Sequence, residues 1–94
     1  MKKYELRKKV IEIRDNNMFK HLSEDDKKWI WDNLYKFHPS RTYSYEDIEW
    51  IMPTINKDGY NTRAFLFRTK DGVEDFWSID KALGNITKEQ LKEL

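Results

Sequence analysis

"GYNTRAFLFRTKDGVEDFWSIDKAL", residues 59–83, decides the fold of this 94-residue chain. From Thr62 to Lys70 the side chains alternate, with Phe65 and Phe67 on one side and Ala64, Leu66 and Arg68 on the other. Both sides are largely apolar, so this run reads as the central, most buried strand of a sheet. Lys70-Asp71-Gly72 is hairpin chemistry, because glycine takes a positive φ without steric cost. Val73–Ser78 then returns as the partner strand. Ser78 is placed to cap a short helix over 79–83, which Gly84-Asn85 closes. Thr87 with Gln90 forms a capping box for a last helical turn ending at Leu94.

Towards the N-terminus, the spacing predicts a helix over 3–16. Leu6, Val10 and Ile13 share one face, and Tyr4 and Ile11 widen it. Lys3, Arg7 and Arg14 form a stripe between these apolar groups. Asn16-Asn17 suits a left-handed stop. Ser23 caps a second helix over 24–37, with three acids in its first turn and with Ile30, Leu34 and Phe37 facing inward. Pro39 forbids continuation and forces His38 out of helical geometry. Residues 40–46 are a connection. The run 47–56 is ambiguous: Ser44 suits the cap of a short helix, whereas the alternation of Ile48, Trp50 and Met52 suits a strand. The strand is favoured, with Pro53 at an edge or a bulge. Lys57–Asn61 is a turn.

The resulting order is α-α-β-β-β-α-α. It describes one small α+β domain over residues 1–94, a three-stranded antiparallel sheet with helices packed on one face. Charged residues make up 37% of the chain and aromatic residues 15%, so the expected core is built on rings. Cysteine is absent, which excludes disulfides, thiolate chemistry and cysteine-bound zinc. No apolar run has membrane length and no secretory leader is recognisable, so a cytoplasmic protein without membrane contact is expected. The sequon Asn85-Ile86-Thr87 then reads as coincidence.

The quoted stretch, together with "HLSEDDKKWIWDNLYKFHPS" at residues 21–40, resembles the DCL-type (defective chloroplasts and leaves) domain. The positions that carry the resemblance are Asp25, Asp26, His38, Pro39, Gly59, Thr62, Arg63, Phe65, Asp71, Gly72, Asp75, Phe76, Ser78 and Leu83. It spans roughly residues 5–84. Ala64 stands where that pattern has glycine, and Ala82 stands where it often has cysteine. Trp77 is inserted between Asp75-Phe76 and Ser78, which predicts a β-bulge or a changed register. The resemblance implies a nucleic-acid setting. Members occur in plastids with a role linked to ribosomal-RNA maturation, as a tail on a plant RNA polymerase subunit, and as stand-alone bacterial and phage proteins. It implies no recognised active site.

The residues agree in offering no catalytic constellation. His21 and His38 are far apart, and His38 reads as a helix-end ring bonded to a nearby carbonyl in preference to a general base or a ligand. A Ser-His-Asp set, a phosphate-cradling glycine loop and a His-x-x-x-His spacing are all missing. Glu24 and Lys28 read as a solvated i, i+4 pair. No enzyme activity, cofactor or metal is therefore expected.

Net charge is +1, which lacks the overall footprint of a dedicated nucleic-acid binder. Residues 1–20, however, hold seven Lys or Arg against three acids. The basic stripe Lys3, Arg7 and Arg14 suits a phosphate backbone. Arg63 beside the turn suits bidentate phosphate binding with Tyr60 stacked on a base, or else an ion pair with Asp71 or Asp75. These features favour a non-catalytic module that binds RNA or DNA. The alternative is a small phage or bacterial modulator that docks on a larger protein. Trp29 and Trp31 cannot share a helix face, so one must leave the core. Trp31, with Tyr43 and Tyr45, would then anchor the protein contact.

Overall fold

In a computed structural model of the chain, which describes residues 1–39 and 42–94, the expected order of elements is present. The expected connection over 40–46 therefore lies partly outside the described residues, at Ser40 and Arg41. Helix α1 spans Lys3–Asn16 and buries Leu6 and Val10, with Ile13 half-buried beside them. Tyr4 does not widen this face. It is 66% exposed, with the Lys2 ammonium over its ring. Nor does Asn17 turn left-handed. Its side-chain amide donates to the Ile13 carbonyl at 2.7 Å, and the reversal falls two residues later at Phe19, φ 64°.

Helix α2 spans Glu24–Asn33, capped by Ser23, whose hydroxyl accepts from the Asp26 N–H. It is shorter than expected. Asn33 donates its side-chain amide to the Trp29 carbonyl, and the chain tightens to a 3-10 turn over Tyr35–Phe37. Lys27, Ile30, Trp31 and Leu34 form the buried face, at i, i+3, i+4 and i+7. This corrects the expectation for the tryptophans. Trp31 is only 5% exposed and packs on Tyr35, while Trp29 sits half-buried under the Lys9 ammonium.

Strands β1 (Ile48–Asn56), β2 (Thr62–Thr69) and β3 (Glu74–Trp77) form an antiparallel sheet in the order β1-β2-β3. Both local readings of the ambiguous segment hold in part: Ser44 caps one 3-10 turn over Tyr45–Asp47, and the strand follows. The bulge lies between Ile48 and Trp50, not at Pro53. One inserted residue breaks the expected alternation, so Ile48 and Ile51 face the core while Trp50 and Met52 turn to the outer face. Lys27 is buried against this bulge. Its ammonium donates to the Ile48 and Glu49 carbonyls at 3.4 and 3.3 Å and pairs with Glu24 at 3.3 Å, which meets its hydrogen-bonding needs. The pair expected between Glu24 and Lys28 is replaced by this one, and Lys28 pairs with Asp32.

Pro53 does lie on an edge strand. The segment after α1 covers that edge: the Phe19 N–H donates to the Pro53 carbonyl and the Leu22 N–H to the Ile51 carbonyl. On the other side, β3 runs opposite β2 without interruption, with Phe65 facing Trp77 and Phe67 facing Asp75. No bulge forms at Trp77. Its ring stacks on Phe65 at 5.3 Å between centroids and meets Tyr35 edge-on at 4.9 Å. Burying a ring such as Phe65 stabilises the fold by roughly 1.5–3 kcal/mol.

Helix α3 spans Ile79–Gly84, capped by Ser78, and buries Ala82 and Leu83. Asn85 then donates to the Phe37 carbonyl, tying this end of the chain to the 3-10 turn. Helix α4, Lys88–Lys92, has the expected capping box and ends before Leu94. Among the described residues no helix is long and apolar enough to cross a membrane, and no group of three or more His, Cys, Asp or Glu is placed to hold a metal ion.

Candidate functional site

Strand parity places Arg63 on the same side of β2 as Phe65 and Phe67. The hydrophobic core ends there, and the side chain, about half exposed, emerges at the end of α1. Its Nη1 lies 3.0 Å from Asp15 Oδ1. Arg14 Nε lies 3.0 Å from the same oxygen. Two guanidiniums distant in sequence thus converge on one anionic atom. The Arg14 hydrogen bond, with Arg63 adding to it against partial burial, holds the Asp15 carboxyl below the usual carboxylate range.

This cluster borders a groove of about 770 Å3. Arg7 and Arg14 line one wall from α1. The other wall comes from Asn56, the start of β2, the end of β3 and the residues through Lys81, with His38 also lining the groove. Arg7 and Arg14 are seven residues apart, so they share a helix face about 10 Å apart along its axis. Arg7 Nε lies 3.5 Å from Asp80 Oδ1. Four cationic side chains line the groove against two carboxylates, Asp75 and Asp80. Exposed ion pairs of this kind are worth about 0–1 kcal/mol, so the acids position the arginines without locking them.

Two aromatic groups complete the groove. The His38 ring stacks near Tyr35 and meets Trp77 edge-on. Burial lowers its pKa, and Lys81 lowers it further, which keeps the ring neutral at neutral pH. Trp77 is almost wholly buried, and among the described residues its indole N–H has no acceptor.

Tyr60 is not a lining residue. It lies two positions before Thr62, 97% exposed, with φ 60°, and Asn61 follows at φ 58°. Asparagine tolerates this conformation, so the strain, about 1–3 kcal/mol, falls on Tyr60. The two residues project an unburied ring beside the groove.

Of the residues singled out from sequence, Arg7, Arg14 and Arg63 come together. Lys3 does not. It lies near the chain ends with Lys2, Lys88 and Lys92 around Leu91. Arg63 pairs with Asp15 rather than with Asp71 or Asp75, because Asp71 sits at the far end of the hairpin and Asp75 stands opposite Phe67, four residues along β2 from Arg63. The cross-strand ion pair is made instead by Arg68, with Glu74 at 2.6 Å and Glu49 at 3.3 Å. The protein-contact anchors fare differently. Trp31 is in the core, Tyr43 packs edge-on against Phe67, and Tyr45 donates to Glu24 with Lys28 over its ring. The exposed tyrosine and phenylalanine rings are Tyr4, Phe19 and Tyr60.

Sequence reading missed Asp15, Trp77 and Lys81 as parts of this site. The adjacency of Asp15 to Arg14 at a helix end was a usable signal, whereas Lys81 reaches the groove only through the tertiary fold.

No curated protein and no solved structure shows significant similarity to this chain. A family model described as "Protein of unknown function (DUF3223)" matches residues 9–83, which run from within α1 into α3 and include every groove-lining residue except Arg7. The chain therefore belongs to the DUF3223 family.

Proposed function

We propose that this chain is a nucleic-acid-associated binding module without catalytic function. It holds a single strand by a phosphate in the groove and a base against Tyr60. The observation that carries the reading is the convergence of Arg14 and Arg63 on one oxygen, in a groove also lined by Arg7 and Lys81. A guanidinium pair of that geometry suits a phosphate oxygen as well as a carboxylate one. An exposed tyrosine ring suits stacking on any base. The resemblance to the DCL-type domain, with its RNA-linked settings, supports the same reading.

Docking on a larger protein is the second reading. Its sequence-level anchors are tied into the fold. What favours it now is the outer face of the sheet, where Trp50, Met52, Leu66 and Phe76 are only half-buried.

Fluorescence anisotropy with labelled single-stranded RNA and DNA tests the lead. The expected result is micromolar or weaker binding that falls with salt. Arg7→Glu with Arg14→Glu should lower affinity at least tenfold. Equal binding by that double variant contradicts the proposal.

A further inference from the structure

We infer that the groove accepts a single phosphate, so that the module grips one nucleotide step rather than a tract of backbone. This rests on the nucleic-acid reading and narrows it. The argument is a charge count at the groove. Arg14 and Arg63 share Asp15, leaving that cluster with one net positive charge. Arg7 and Asp80 cancel. Lys81 and Asp75 line the same groove with opposite signs. The net excess is one positive charge, which neutralises one phosphodiester.

The acids are built in rather than incidental. Asp15 Oδ1 accepts from both arginines at 3.0 Å, so it draws the two guanidiniums together while leaving most of their N–H donors unspent. A phosphate joins that cluster as a second anion. Two other cations of the first helix do not extend the track: Lys3 lies near the chain ends, and Lys9 covers Trp29. The charge at the groove therefore provides for one phosphate, and removing an acid provides for a second. Tyr60, nearby and fully exposed, supplies the base contact of the same nucleotide step.

The test uses the full chain and fluorescein-labelled oligouridylates and oligothymidylates of increasing length, titrated across a salt series. A single strand releases counterions with a slope of about −0.7 per phosphate engaged, so the wild type should show a log Kobs–log[salt] slope near −0.7. Affinity should rise with length only by the statistical gain of extra registers. Asp15→Asn should bind more tightly, with a slope near −1.4, since it releases one further cation. Asp80→Asn should do the same by freeing Arg7. A wild-type slope near −2.8, or slopes unmoved by both substitutions, overturns the one-phosphate inference while leaving nucleic-acid binding intact. Absence of binding at low salt by every oligonucleotide overturns the functional reading itself, and the inference with it.

Discussion

The two connections that flank β2 are built on opposite principles. The β2–β3 hairpin obeys every local rule. Gly72 takes the positive φ of 94°, the Thr69 hydroxyl donates to Asp71 and accepts the Val73 N–H, and the Thr69 N–H donates to the Val73 carbonyl. The β1–β2 connection breaks those rules. Tyr60 holds left-handed backbone without being glycine or asparagine, and its ring buries almost nothing. Local rules are broken most often where a chain has a task other than folding. The hairpin end of β2 is where the fold is stabilised, and the Tyr60–Arg63 end is where the groove opens.

Both connections hang from the central strand, so the largest effect comes from damaging it. Phe65→Ala should cost about 3–5 kcal/mol in a denaturant titration, since the ring is fully buried between Trp77 and the helices. A cost below about 1 kcal/mol would mean that the core does not centre on β2. Arg63→Glu separates the two ends. It should reduce single-strand binding by tenfold or more while changing stability by less than about 1 kcal/mol, because the Arg63–Asp15 pair is exposed. Comparable losses in stability and binding would make Arg63 a structural residue.

Gly72→Ala should do the reverse. The added methyl meets only Arg68 at an ordinary 3.7 Å, so the cost is the backbone alone, about 1–2 kcal/mol, with affinity unchanged. Tyr60→Gly gives the smaller signature that distinguishes a functional turn. It should relieve left-handed strain and raise stability by up to ~1 kcal/mol, while binding weakens several-fold. Lower stability in this variant would show that the ring supports the fold.

Acidification has the mildest effect. The folded-state pKa of His38 is depressed, so the fold binds fewer protons than the unfolded chain just below the ordinary histidine value. Its contribution is complete above that value and fades as pH falls through the folded pKa. Asp15, also depressed, contributes above the ordinary carboxylate value and fades at lower pH still. Midpoint-against-pH curves for the wild type and His38→Gln should diverge only in the upper of these two windows.

Most of the fold was legible because its signals are local. Ser23, Ser78 and Thr87 cap the helices they were expected to cap, and the period-two run ending at Asp71-Gly72 became β2 and its hairpin. What escaped depends on the tertiary structure. The bulge at Ile48/Trp50 is bonded by Lys27 from another element, through the Ile48 and Glu49 carbonyls, and no pattern within 47–56 announces it. The two tryptophans of α2 differ in burial because the helix turns its Lys27–Leu34 face inward, a rotation that the apolar count alone leaves undecided. At the groove, the arginines were visible as residue types. The pairing of Arg63 with Asp15 and of Arg7 with Asp80 was not, since those contacts join α1 to a strand and to a later helix.

The most direct test of the account is a 1H–15N spectrum recorded while a short single-stranded oligonucleotide is added to the full chain. Shifts should gather on Arg7, Arg14, Tyr60–Ala64, Lys81 and the Trp77 indole N–H, with the Thr69–Val73 hairpin silent. Shifts centred on that hairpin or on the outer face of the sheet, or none at all, would contradict it.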